Sequence, residues 1–223
     1  MNLWWIFSRA DCFPNCGCEP MMDGCWICQP MAFVSSLPYL VVGIILFLQN
    51  KNRDRLFYAW SLMLGLVSLS SMFFHSTFTR ASMAMDYTSI IFLMTFFFVT
   101  KLMKASPRKI NLKLGLPIYY VALYLFLLPL DIWSQFYVCL AMFTIASMDF
   151  LYQRGLSVLL ERSLIISFGL LAISLGFMLI DRHETFCALK YVPYGHTIWH
   201  LGSALSAYYF GYWYFIEKKH SVA

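Results

Sequence analysis

The sequence predicts an all-α integral membrane protein, a bundle of seven transmembrane helices, and three observations predict it. Of 223 residues, 61% are hydrophobic and only 12% charged, where a soluble domain carries about 25% charged residues. Mean hydropathy is +0.67. Apolar runs of roughly 17–25 residues are what a helix needs to cross a bilayer, and seven stand out: 31–49, 56–78, 82–100, 114–130, 132–152, 163–181 and 195–216. The net charge of +5 does not point to nucleic acid, because the basic residues are spread over connecting loops instead of clustering on a face.

Taken in order, Met1–Phe7 lacks a basic flank and has too short an apolar core for a signal peptide. It reads as an aromatic segment at the membrane interface. Residues 1–30 form a Cys-rich N-terminal segment, 31–216 the bundle and 217–223 a short tail. Basic loops follow the first and third runs, at 50–55 and 101–113. The fourth and fifth are separated only by Pro129, Leu130 and Asp131, so they read either as a tight helical hairpin or as one boundary displaced by several residues. Arg162 and Arg182 bracket the sixth, and Lys218 and Lys219 follow the seventh. No internal repeat or soluble domain is apparent.

Lys and Arg stay on the cytoplasmic side of a membrane protein. Alternate loops carry twelve of them: Lys51, Arg53, Arg55; Lys101, Lys104, Arg108, Lys109, Lys113; Arg154, Arg162; Lys218 and Lys219. The other side carries four: Arg9, Arg80, Arg182 and Lys190. The N-terminus is therefore expected outside and the C-terminus in the cytoplasm. Cys12, Cys16, Cys18, Cys25, Cys28 and Cys187 all fall on the outer side, where disulfides persist. Their spacing also permits a zinc knuckle, and six cysteines allow 15 pairings.

Several polar groups interrupt the apolar runs. Ser71 and His75 are four residues apart and share a helix face, as do His196 and His200. Asp86 lies in the opening turns of the third run. With the orientation above, the four ionisable groups, His75, Asp86, His196 and His200, fall at one depth near the outer side. Singly, each could be an interhelical hydrogen-bonding group. Together they suit a metal: histidines at i and i+4 point two imidazoles at one ion, and a third completes the set of a catalytic zinc with one open position. Bound Zn2+ lowers the pKa of its water to about 7. Asp86 then suits a proton shuttle, and Ser71 a hydrogen-bond donor to an oxyanion. The active site is expected toward the non-cytoplasmic side, acting on a carbonyl substrate from the bilayer.

The pattern Ser71-x3-His75, Asp86 and His196-x3-His200 resembles the CREST superfamily of seven-span hydrolases, within it the alkaline ceramidases and bacterial ceramidase-like proteins. Cys18-Glu19-Pro20, Asp181-Arg182-x4-Cys187 and His196-Thr197-Ile198-Trp199-His200 carry the same likeness. The resemblance implies zinc held by His75, His196 and His200, with Asp86 and Ser71 catalytic, and a disulfide from Cys18 to Cys187. Cys12, Cys16, Cys25 and Cys28 would then remain for two further bridges. Animal alkaline ceramidases also build a calcium site here, from acidic residues that this chain mostly lacks; Glu19 alone remains, so calcium is not expected. The function implied is a zinc-dependent amidase that cleaves ceramide or a related N-acyl lipid. Two alternatives stand beside it: an ester hydrolase acting on phospholipids, and a lipid-sensing receptor in which zinc is structural.

Overall fold

Proline placement divides the first apolar run. The computed structural model describes residues 7–10, 18–22, 24–51, 53–105, 112–127, 138, 141, 142, 145, 162–181 and 194–217. Helix α1 (Pro30–Ser35) opens on Pro30, at a first-turn position where a missing N–H costs nothing. Helix α2 (Leu37–Gln49) carries Pro38 at its second residue. Pro38 has no N–H for the Val34 carbonyl and disfavours helical geometry at Leu37. The chain answers with a tight break at Ser36: its N–H bonds to the Phe33 carbonyl at 3.2 Å, and its own carbonyl takes the Tyr39 N–H at 3.3 Å. The Ser68 hydroxyl also donates to the Ser36 carbonyl, at 2.8 Å.

Helix α3 (Arg55–Thr77) is capped by Asp54, whose carboxylate accepts the Leu56 and Phe57 N–H groups at 2.9 and 3.3 Å. It ends at Phe78, in the left-handed region with φ 49°. Only Phe78 and Thr79 separate it from α4 (Arg80–Ala105). Then follow α5 (Leu112–Leu127), α6 (Arg162–Ile180) and α7 (Gly195–Tyr212), which continues as a π-helical turn through Trp213–Glu217.

Among the described residues, four helices are long and apolar enough to cross a membrane: Pro30–Gln49, Arg55–Thr77, Arg80–Thr100 and Arg162–Ile180. The expected runs 114–130 and 195–216 correspond to α5 and α7, which are helical but outside that set. The fifth run, 132–152, lies outside the described residues except for 138, 141, 142 and 145, all in helix. Helix α4 starts two residues before its expected run and continues to Ala105.

Two compact units result: Met1–Tyr87 with Glu161–Ala223, and Thr88–Leu160. In the first, α6 packs closely on α7, and α2 packs on α3 and α7. Small residues permit the α6–α7 approach. A Cβ on Gly195 would collide with the Phe177 carbonyl oxygen, and one on Gly202 would stand 2.6 Å from the Ser174 Cβ. Ser167 donates to the Ser206 carbonyl at 2.9 Å along the same seam. In the second unit, Ile91 is buried among Phe92, Met94, Leu123 and Val138. The Tyr120 hydroxyl there donates to the Phe92 carbonyl at 2.8 Å.

Candidate active site

The last turn of α3 and the first two turns of α7 bring three imidazoles together. The nearest nitrogens of His75, His196 and His200 all lie within 4.8 Å of one another. The Nε2 atoms of His75 and His196 are 3.3 Å apart. A tetrahedral site with Zn–N bonds of about 2.0–2.1 Å has a nitrogen–nitrogen edge of about 3.3–3.4 Å, so this pair already has the spacing of two zinc ligands. Ring centroids stand 5.1 Å apart for His75–His196, 5.2 Å for His75–His200 and 4.5 Å for His196–His200. His75 and His200 are buried, and His196 is partly exposed. Among the described residues no carboxylate or thiolate joins this group. A donor set of three neutral imidazoles fits a metal with one open coordination position.

The far side of each buried ring is engaged. His75 Nδ1 lies 2.8 Å from Gln29 Oε1, an acceptor, so Nδ1 carries the proton and the Nε2 lone pair faces the other histidines. His200 Nδ1 lies 3.0 Å from Ser35 Oγ and 3.2 Å from Ser36 Oγ. Both hydroxyls reach the Ala32 carbonyl, at 3.0 and 2.8 Å, and that carbonyl is itself a hydrogen-bond partner of His200. The break at Ser36 sets this up, because it turns the Ser36 N–H to Phe33.

Ser71, one turn before His75, accepts from the Ser36 hydroxyl at 3.0 Å and is hydrogen-bonded to the Asp86 carboxylate. Asp86 is buried in the second turn of α4. A continuous path therefore runs from His200 through Ser36 and Ser71 to Asp86. Tyr39 of α2 borders it, its hydroxyl 2.5 Å from Ser203 Oγ and its ring edge-on to His200; Ser203 also bonds the Trp199 carbonyl. Gln29, Ser35, Ser36 and Tyr39 carry no sequence signal for these roles. Pro38 alone, by forcing the break, could have drawn attention to Ser36.

Two buried carboxylates brace the helices around the site. Glu19 accepts the Met31 and Ala32 N–H groups of α1 at 2.6 and 2.9 Å. Those are donors left over at a helix start, where negative charge is favoured. The carboxylate thus serves as a helix cap. Asp181 accepts the Gly195 N–H of α7 at 2.7 Å and the Cys18 N–H at 3.2 Å. Cys187 lies outside the described residues, as do Cys12 and Cys16. Cys25 and Cys28 are free thiols, which corrects the expectation that they take part in further bridges. The Cys28 backbone bonds instead to Met22 and Ser76, at 2.9 and 3.2 Å.

The family model for ceramidases matches residues 26–220. The chain belongs to the ceramidase family. No curated protein matches its sequence. Membership implies hydrolase activity in lipid metabolism. The matched region of this ceramidase-family chain holds all five predicted site residues together with Gln29, Ser35 and Ser36, while Cys18 and Glu19 precede it.

Proposed function

We propose that the chain is a membrane-embedded, zinc-dependent amidase that hydrolyses ceramide or a related N-acyl lipid drawn from the bilayer, releasing a fatty acid and an amine. The observation that carries this reading is the cluster of three buried or half-buried imidazoles with no fourth protein ligand among the described residues. A structural zinc takes four protein ligands, and a catalytic one keeps a position open. When bound by His75, His196 and His200, zinc supplies Lewis acidity and lowers the pKa of a coordinated water.

The remaining steps belong to the chain. Asp86 takes the proton from the nucleophilic water and passes it to the leaving amine nitrogen. Before that transfer, Ser71 donates its hydroxyl hydrogen to the Asp86 carboxylate. A protonated Asp86 no longer needs that hydrogen, so Ser71 is released to donate to the oxyanion growing on the carbonyl. Ser36, whose one hydroxyl hydrogen is shared between the Ala32 carbonyl at 2.8 Å and the Ser71 oxygen at 3.0 Å, stays against the serine oxygen as the Ser71 hydrogen turns.

The same reading carries seven spans with the N-terminus outside, an active site toward that side, and a disulfide from Cys18 to Cys187. The charge asymmetry of the loops supports the first two. The third is supported by the Cys18 N–H held on Asp181, six residues before Cys187. Purified protein should contain one zinc per chain and hydrolyse ceramides in a panel that also holds N-acyl amino lipids and phospholipids. Turnover of phospholipids alone would move the assignment to an esterase; a metal-free, folded protein would overturn it.

A further inference from the structure

Gln29 lies in no apolar run and in none of the motifs above, yet it is buried, with 2% of its surface exposed. It sits immediately before α1 and makes two different contacts with the same residue of α3. Its backbone N–H donates to the His75 carbonyl at 3.0 Å, next to a parallel bond from the Cys28 N–H to the Ser76 carbonyl at 3.2 Å. Those carbonyls belong to the last turn of α3, where a helix has no N–H of its own to offer. Its side-chain oxygen meanwhile accepts from His75 Nδ1 at 2.8 Å. One residue therefore holds both the backbone and the ring of one histidine in the cluster.

We infer that Gln29 is a positioning residue for the metal centre, fixing the tautomer and ring direction of His75 so that its Nε2 lone pair is presented to the ion. The inference rests on the zinc reading above. A metal-ligating histidine needs an acceptor on its other nitrogen to hold the ring and raise its basicity, and losing that acceptor typically costs about 10–100-fold in metal affinity. His200 Nδ1 has the Ser35 and Ser36 oxygens beside it, and the Ala32 carbonyl is a further hydrogen-bond partner of the residue, so no single side chain is decisive there. For His75 the Gln29 amide is the acceptor that the geometry provides. The amide is neutral, so it orients the ring without adding charge to the buried site. Glu19, by capping α1 one turn on, fixes the segment from which Gln29 reaches.

The test separates the side chain from the backbone. Gln29→Ala keeps the N–H bond to His75 and removes the acceptor; Gln29→Glu keeps an oxygen acceptor at similar reach. Zinc affinity of each purified variant is measured by competition with a chromogenic chelator, and the ligand field is read from the visible spectrum after cobalt substitution. Gln29→Ala should bind zinc about 10–100-fold more weakly with a changed cobalt spectrum. Gln29→Glu should match or exceed the parent in affinity and keep its spectrum. Equal affinity in Gln29→Ala and the parent overturns the inference, and so does a loss in Gln29→Glu as large as in a folded Gln29→Ala. Should the alanine variant fail to fold, the glutamate variant decides alone: retained affinity supports the role and weakened affinity refutes it. If the parent itself binds no zinc, the proposed function fails first, and the two failures are thereby distinguished.

Discussion

Helices α3 and α7 run antiparallel, and their two ends are built from different materials. At one end Phe57 stacks on Phe215 with centroids 4.7 Å apart, Trp60 lies 6.4 Å from Phe210, and Phe210 lies 5.6 Å from Trp213. At the other end stand Ser71, His75, His196, His200 and Ser203. The aromatic end is held by van der Waals contact, which needs shape and little direction. The polar end pairs its buried imidazoles and most of its buried hydroxyls, Thr197 Oγ1 being an exception, since an unmet polar group in an apolar medium costs several kcal/mol. Its hydrogen bonds therefore extend outward to Gln29, Ser35 and Ser36, beyond the two helices. Aromatic packing and the candidate metal-binding groups thus stand at opposite ends of one helix pair.

Mutations at the two ends should consequently fail in different ways. The largest effect is expected from His196→Ala, which should abolish both zinc binding and hydrolysis while circular dichroism stays helical. Asp86→Asn should leave one zinc per chain and lower kcat by about 10²–10⁴-fold; loss of zinc in this variant would place Asp86 among the ligands instead. At the aromatic end Gly211→Ala sets a Cβ 2.6 Å from Trp60 Nε1. That should destabilise the protein by about 1–3 kcal/mol, read as a lower Tm, with zinc content and kcat per zinc unchanged. A fall in kcat per zinc would show that the two ends are coupled. The smallest effect belongs to Ser35→Ala: Ser36 and Ala32 still meet His200, so zinc affinity should fall by less than the Gln29→Ala loss.

The helical class and the clustering of the three histidines were legible because each repeats a period. Apolar runs of span length announce membrane helices, and four-residue spacing of Ser71 with His75 and of His196 with His200 announces a shared face. The oxygens that orient those histidines were not legible. Ser35 and Ser36 are two serines in an apolar run, and Gln29 precedes its helix, so none has a periodic partner. The break at Ser36 follows from Pro38 once the tertiary role of Ser36 is known, but a proline near a helix start is ordinarily read as mere initiation. The cysteines misled through arithmetic: an even number on the oxidising side invited complete pairing, whereas Cys25 and Cys28 are free thiols and the Cys28 backbone is committed to α3. Phe78 in the left-handed region lacks the glycine or asparagine that usually marks such a cap.

The closeness of α6 and α7 limits how a lipid can travel. Gly195 lies against the Phe177 carbonyl and Gly202 against Ser174, while Ser167 and Ser206 stitch the seam lower down. Where these glycines meet α6 there is no room for one added methyl group, and so none for an acyl chain. An acyl chain approaching the histidines would therefore not pass between α6 and α7 at these two positions.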